Sequence, residues 1–188
     1  MLFRSNLLFF GANNAYWRVR LEESAMGPDR RMAVYKIRKQ DPNKEEATIR
    51  FRDLGQPDSA LTGVTYTCFP VRGEFTITNA SSWIFDGTDV RNGQTFSGIV
   101  GPEVDKLLSK TKYDDVLANS PATCGKKTPT HSTMLLRRDR SGAAIFAVGT
   151  MGWVLKALKG DAPQDSVDLV RTVTDNVLRA STTKGFAP

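Results

Sequence analysis

The sequence is poor in the residues that bind structural zinc: it has one histidine, His131, and two cysteines, Cys68 and Cys124, in 188 residues. A structural zinc site needs four sulfur or nitrogen ligands, so this scarcity excludes one. A Ser-His-Asp triad depends on His131, which stands in a polar Thr-, Ser- and Pro-rich segment, and we expect a solvated histidine there. The two cysteines can pair as a disulfide or remain buried thiols, and the sequence leaves both open.

Long apolar runs are also missing. The run Leu7–Phe10 is far shorter than a membrane span and too short for the core of a signal peptide, so we expect no membrane partner. The sequence has no P-loop, GxGxxG, HExxH or GxSxG motif, and no internal repeat. The net charge of +6 and sequence pI of about 9.5 come from scattered basic residues without interleaved aromatic residues, which favours a solvated face over nucleic-acid binding.

The composition is that of an ordinary globular protein, with 40% hydrophobic and 24% charged residues. The length suits one domain over residues 1–188 and is too short for two large ones. Nothing in the sequence determines the cell compartment, and the cytoplasm is slightly favoured.

Three short apolar segments and one amphipathic segment predict an α/β fold. Leu7–Phe10, Ile84–Phe85 and Ala144–Val148 have the unbroken apolar character of strands that are buried on both faces. From Val167 to Val177, valines recur at helical spacing. We expect these strands to be neighbours and the helix to pack across them.

The stretch from Ser82 to Leu107 is rich in signals. Asn92-Gly93 predicts a turn, because both residues tolerate positive φ. Glu103 follows Gly101-Pro102 on a predicted loop, and Val104–Leu107 is expected to open a helix. A carboxylate placed just beyond an apolar run is a candidate for an active site, although most loop glutamates are simply solvated.

Near the N-terminus, Tyr16 follows a predicted turn at Asn13-Asn14, which comes directly after the first strand. Ligand sites of open α/β sheets gather at such strand ends. The alternative is a tyrosine at the edge of the core with its hydroxyl in water.

Five blocks of the sequence, in order, resemble the C-terminal domain of the large (beta) subunit of N,N-dimethylformamidase and its relatives. The resemblance implies a layered, flavodoxin-like or class I glutamine-amidotransferase-like α/β sandwich with β-rich insertions. The blocks are Asn6–Arg20, Phe51–Tyr66, Trp83–Asp105, Ser141–Leu158 and Val173–Leu178.

The resemblance also implies a mononuclear iron (Fe) site, built in the family from two tyrosines and one glutamate. Carried over by motif, Tyr16 in NNAYW corresponds to one tyrosine and Glu103 in GPEVD to the glutamate. The other tyrosine lies upstream of this chain's first strand in the family, so we expect an N-terminally truncated domain that lacks its first strands and helices. We expect Tyr16 and Glu103 to converge in one pocket.

Two functions remain open at this point. The resemblance implies an iron-dependent amidohydrolase that cleaves the C–N bond of small N-substituted amides. The alternative is a non-catalytic α/β scaffold or binding module of the same family, inactive because a metal ligand is missing. The expected partners are a small amide substrate and either a second copy of the chain or a small partner subunit.

Overall fold

The structure is a computed structural model that describes residues 5–109, 114–138, 142–183 and 185–187. Its helical elements are α1 (Ser59–Thr62), α2 (Gln164–Ser181), 3₁₀ turns at Phe51–Leu54 and Trp83–Phe85, and a π-helix at Trp153–Leu158. Its strands are β1 (Leu7–Phe9), β2 (Arg20–Ser24), β3 (Gly27–Ala33), β4 (Thr65–Cys68), β5 (Val71–Gly73), β6 (Phe75–Thr76), β7 (Thr95–Phe96), β8 (Val104–Lys106), β9 (Asp114–Cys124), β10 (Thr128–Arg138) and β11 (Ala144–Ala147).

The main sheet has five strands in the order β1-β11-β10-β9-β5. Its centre is the long antiparallel hairpin β9–β10, in which Thr128 pairs with Cys124, and β10 continues antiparallel to β11. The register shifts between Met134 and Leu135, and such an irregularity bends and twists a strand. The sheet curls into a half-barrel.

The predicted layered α/β sandwich is wrong. Strand makes up 34% and helix 21% of a β-rich structure with a curled half-barrel sheet, not a flavodoxin-like sandwich. A flavodoxin-like sheet needs parallel strands joined by helices that cover both faces. Here the β9, β10 and β11 strands follow one another as antiparallel neighbours, so the chain between them has no room for crossover helices.

Two of the three apolar segments are neighbours, as predicted: β1 pairs in parallel with β11, with Leu8 opposite Phe146. Phe146 is fully buried, but β1 is an edge strand with Leu7 38% exposed, so the burial predicted for both faces of Leu7–Phe10 is wrong. The third segment is not a strand, because Trp83–Phe85 forms a 3₁₀ turn. Three consecutive apolar residues carry no period that separates the two conformations, although Ile84 and Phe85 are buried in either case.

The C-terminal helix agrees with its pattern. Val167, Val170, Val173 and Val177 of α2 are all buried. Asn176 of the same helix donates from Nδ2 to the carbonyl of Ile84 at 3.0 Å, which ties α2 to the 3₁₀ turn. In the described part of the chain, no helix has both the length and the apolar character needed to cross a membrane.

The helix expected at Val104–Leu107 is wrong, because Val104–Lys106 is strand β8. It pairs antiparallel with β4, with Tyr66 opposite Asp105. The Asp105 amide also donates to the carbonyl of Gly149 at 2.9 Å, so β8 lies between β4 and the end of β11. The pairing partners of β8 are remote in sequence, so the four residues Val104–Leu107 could not predict them by their own pattern.

The cysteines, left open above, form a disulfide between Cys68 at the end of β4 and Cys124 at the end of β9. Their Cα atoms are 6.1 Å apart, within the ordinary range for a disulfide. The bond therefore fastens the β4–β8 pair to the main sheet. His131, expected in a loop, lies instead on β10, where its side chain is exposed as expected.

Candidate active site

One asparagine after β1 holds two carboxylates. The backbone N–H of Asn13 donates to Oδ1 of Asp105 at 2.9 Å, and its side-chain Nδ2 donates to Oε2 of Glu103 at 3.2 Å. Asn13 has φ of 61°, a left-handed conformation that asparagine adopts more readily than most residues. The turn predicted at Asn13-Asn14 therefore has a second role, which is to orient the two acids.

The carboxylates belong to β8 and the residue before it. Side chains two residues apart in a strand point to the same side, so Glu103 and Asp105 share a side while Val104 points into the core, where it is fully buried. Asp105 lies opposite Tyr66 of β4 and is only 2% exposed. The β4–β8 ladder thus places a tyrosine beside the acids.

Two tyrosines meet next to the acids. The ring centroids of Tyr16 and Tyr66 are 4.8 Å apart in an edge-to-face arrangement, a favourable geometry for aromatic pairs. Burial raises the pKa of the Tyr66 phenol, and the charges of Glu103, Tyr16 and Asp105 raise it further. Tyr66 therefore lies within electrostatic reach of both Tyr16 and Glu103. These four side chains are called the tyrosine–acid cluster below.

Arg52 contacts both tyrosines, the ring face of Tyr16 and the backbone carbonyl of Tyr66. Its Cζ lies 4.8 Å from the centroid of the Tyr16 ring, a cation–π contact. Its Nη2 donates to Oδ2 of Asp58 at 2.9 Å and to the carbonyl of Tyr66 at 3.0 Å. The same Asp58 oxygen accepts the backbone N–H of Tyr66 at 2.9 Å. The guanidinium, the Tyr16 ring and strand β4 are therefore held as one unit.

A second arginine lies near the Tyr16 hydroxyl. The Asp53 carboxylate, and after it the hydroxyl of Tyr16, raise the pKa of the Arg50 guanidinium. Tyr16 thus has Arg52 at its ring face and Arg50 near its oxygen, and this places positive charge around a candidate phenolate ligand.

The cluster has an excess of negative charge at its buried end. Burial raises the pKa of Asp105 to about 7. The Asn13 amide opposes that shift, and the neighbouring charges of Asp58 and Glu103 add to it. Carboxylates crowded in this way are relieved by a proton or by a cation.

The donor atoms fit a hard metal ion. The phenol of Tyr16 and the carboxylate of Glu103 are hard oxygen donors. Oδ1 of Asn13 is buried and accepts no hydrogen bond from any described residue. No three His, Cys, Asp or Glu side chains in the described ranges are grouped as a metal site, so a site here has to use phenol or amide oxygens as well.

The two residues predicted from sequence are linked through Tyr66, which contacts the Tyr16 ring and lies within electrostatic reach of Glu103. Their convergence in one pocket and their role as metal ligands stay predictions. Sequence reasoning missed Asn13, Arg52, Asp58, Tyr66 and Asp105. Asn13 had a local signal, because it stands in the turn predicted directly after the first strand. The other four had none, because the β4–β8 pairing and hydrogen bonds between separate elements bring them together.

A cavity of about 350 Å³ adjoins the cluster at Tyr66. Arg52, Thr65 and Lys106 also line it. Its volume is within the range of small-molecule sites.

The family model described as N,N-dimethylformamidase beta subunit-like, C-terminal, matches residues 5–165 of the chain. That span includes Asn13, Arg52, Asp58 and all four residues of the tyrosine–acid cluster. No curated protein matches the chain.

Proposed function

The chain belongs to the N,N-dimethylformamidase beta subunit-like C-terminal family, and from that premise we propose that it is an iron-dependent amidohydrolase domain. Its reaction is hydrolysis of the C–N bond of small N-substituted amides. The observation that carries the proposal is the pair of hydrogen bonds from Asn13 to Glu103 and Asp105, next to the Tyr16–Tyr66 ring pair.

Tyr16 and Glu103 are the residues proposed to hold the metal. Bound iron supplies a Lewis acid, which polarises an amide carbonyl and acidifies water. Asn13 holds the Glu103 carboxylate through its side-chain N–H. Arg52 holds the Tyr16 ring by its face, and Tyr66 meets that ring edge-to-face. This preorganisation of both ligands supports a binding role.

The proposed reaction adds water across the amide bond. The carbonyl carbon gains a C–O bond to the oxygen of water and the C–N bond breaks. The amine leaves with one proton from that water. For N,N-dimethylformamide the products are formic acid and dimethylamine.

Metal content and amine release test the proposal together. The purified full chain is expected to contain about one iron per chain by elemental analysis and to release dimethylamine from N,N-dimethylformamide. Tyr16→Phe and Glu103→Gln each remove one oxygen ligand, and both variants are expected to lose iron and activity. The matched controls are Tyr35→Phe, two residues after β3, and Glu23→Gln on β2. Both change exposed side chains.

A folded chain without iron and without hydrolysis contradicts the proposal and supports the non-catalytic scaffold. Iron retained at full occupancy in both Tyr16→Phe and Glu103→Gln, with activity retained, shows that the ligands are elsewhere. Circular dichroism of every variant confirms that the comparison is between folded proteins.

A further inference from the structure

Asp105 differs from the other buried carboxylates of the protein. In the described part of the chain four aspartates are buried, which are Asp41, Asp58, Asp105 and Asp114. Three of them pair with arginines, as Asp41–Arg20, Asp58–Arg52 and Asp114–Arg137. Asp105 is 2% exposed and forms no ion pair with any described residue. Burying a carboxylate without a counter-charge is costly, so Asp105 requires a proton or a cation.

The hydrogen bonds of Asp105 leave one of its two oxygens unused. Among the described residues, only the backbone N–H of Asn13 donates to this carboxylate, at 2.9 Å from Oδ1. The buried Asp58 instead accepts at both oxygens, from Arg52 at Oδ2 and from the Thr65 hydroxyl at Oδ1. Oδ2 of Asp105 is therefore available to bind a cation.

A second oxygen next to Asp105 also lacks a hydrogen-bond donor. Oδ1 of Asn13 is buried and has no partner among the described residues. The same planar amide group donates from Nδ2 to Oε2 of Glu103 at 3.2 Å, so its unpartnered oxygen lies beside the acids. Buried polar atoms without a partner are rare in folded proteins, and neighbouring acceptors that share no donor indicate a bound cation.

We propose that Asp105 is a third oxygen ligand of the iron, together with Tyr16 and Glu103, and this inference rests on the proposed function. Non-haem iron sites with open coordination positions commonly use about three protein ligands. The phenolate of Tyr16 and the two carboxylates carry three negative charges, which balance the triple charge of ferric iron. Such a balance is favourable where the charges are buried.

The fold connects Asp105 to both of the other proposed ligands. Glu103 stands directly before β8 and points to the same side of the strand as Asp105, and both carboxylates accept from Asn13. On β4, Tyr66 lies opposite Asp105, and its ring contacts the Tyr16 ring. The strand pairing that buries Asp105 is therefore the same one that links it to Tyr16.

Asp105→Asn tests the proposal, because asparagine keeps the shape of the side chain and an acceptor for the Asn13 amide but removes the charge. Competition of the full chain with a chelator, followed by iron analysis of the protein, measures the affinity. We expect Asp105→Asn to weaken iron binding at least about 100-fold, at or beyond the upper end of what a residue that only supports a ligand contributes. Asp114→Asn, the same change at a buried aspartate of β9, is the matched control and is expected to bind iron like wild type.

Two further measurements distinguish a ligand from a structural aspartate. Without metal, Asp105→Asn is expected to resist urea at least as well as wild type, because it removes a buried charge that has no partner. Asp114→Asn is expected to be less stable, because it leaves Arg137 unpaired. In the ferric protein the Tyr16 phenolate gives a visible charge-transfer absorption, and loss of an anionic ligand is expected to move this band to longer wavelength in iron-saturated Asp105→Asn.

If Asp105→Asn does not fold, the wild-type chain with isotope-labelled aspartate replaces it. Iron loading is expected to shift an isotope-sensitive carboxylate band in the infrared difference spectrum, because Asp105 becomes metal-bound. Glutamate is unlabelled in this experiment, so binding of Glu103 does not contribute to the labelled band.

The proposal is overturned if Asp105→Asn binds iron as tightly as wild type, or if iron loading leaves the labelled aspartate band unchanged. In either case the proposed amidohydrolase function stands, and Asp105 is a buried acid held neutral by a proton. It is also overturned if Tyr66→Phe loses iron while Asp105→Asn keeps it, since the third ligand is then the Tyr66 phenol. A wild-type chain that binds no iron overturns the proposed function itself, and this inference with it.

Discussion

At the scale of single residues, Asn13 does two jobs that no other residue type combines easily. It tolerates φ of 61°, and its amide donates to Glu103 while its backbone donates to Asp105. Its position after β1 sets where both acids lie relative to Tyr16, three residues further on. A substitution at Asn13 therefore acts on the candidate ligand Glu103 through the hydrogen bond that positions its carboxylate.

Asn13→Ala is expected to weaken iron binding about 10-fold, because the supporting hydrogen bond to a ligand is lost. Iron titration of the metal-free chain measures the change. Asn14→Ala alters the exposed neighbour and is expected to bind iron like wild type. Equal affinities for the Asn13 and Asn14 variants count against a positioning role.

Two arginine–aspartate pairs in one segment differ sharply in their surroundings. Asp58 is 6% exposed and accepts from Arg52, from the Thr65 hydroxyl and from the Tyr66 backbone. Asp53 pairs with Arg50, and both side chains are about 40% exposed. Removing a buried acceptor leaves its donors unsatisfied, whereas a surface pair contributes little.

Asp58→Ala is accordingly expected to lower the free energy of unfolding by about 3 kcal/mol, against less than about 1 kcal/mol for Asp53→Ala. Urea unfolding of the two variants measures both values. Similar losses in the two variants contradict the assignment of Asp58 as the residue that anchors β4.

At the scale of elements, the segment that follows β3 folds around the buried carboxylate of Asp41. Both oxygens of Asp41 are satisfied: Thr48 donates from its backbone and its hydroxyl at 2.7 Å each, and Arg20 of β2 donates from Nη1 at 3.1 Å. Burial raises the pKa of Asp41, but hydrogen bonds from Thr48, Asn43 and Arg20 outweigh it and hold the pKa well below its usual range.

This lowered pKa predicts how stability depends on pH. In the unfolded chain, the carboxyl of Asp41 has a pKa of about 3.9. Below that pH the unfolded chain therefore binds a proton that the folded chain still excludes. The contribution of Asp41 is thus present above pH 4 and is lost progressively as the pH falls. Asp41→Asn is expected to flatten the decline between about pH 4 and 2.

Urea unfolding across this pH range measures the effect. Asp29→Asn, on the exposed part of β3, is the control and is expected to keep the wild-type slope. A wild-type slope in Asp41→Asn shows that the carboxylate is not held as a buried anion.

At the scale of the whole molecule, the Cys68–Cys124 bond joins the part that carries the cluster to the main sheet. It closes a chain segment with a sequence separation of 56 residues. In the loop-entropy picture, a bond of that span stabilises a fold by about 4 kcal/mol. Strand β4 depends on it because its only pairing among the described strands is with the short β8.

Cys68→Ser with Cys124→Ser is therefore expected to lower the free energy of unfolding by about 2–4 kcal/mol, and a thiol assay of the unfolded, unreduced wild type is expected to find no free thiol. Intact mass before and after alkylation gives an independent count. Two reactive thiols in the oxidised protein contradict the pairing.

Local patterns determined several features correctly. The valines of α2 recur within one element, so their signal comes from nearby residues. The motifs around Tyr16 and Glu103 identified the family, because a family resemblance depends on short blocks in order and not on how they pack.

Tertiary structure alone decided the sheet architecture, the conformation of Val104–Lys106 and the composition of the cluster. Val104–Lys106 is a strand because Thr65–Cys68 lies beside it, and Tyr66 meets Asp105 through that pairing. Asn13 reaches both acids across a sequence separation of 90 or more residues. Backbone pairing and hydrogen bonds between remote segments depend on the whole packed chain, and no local spacing encodes them.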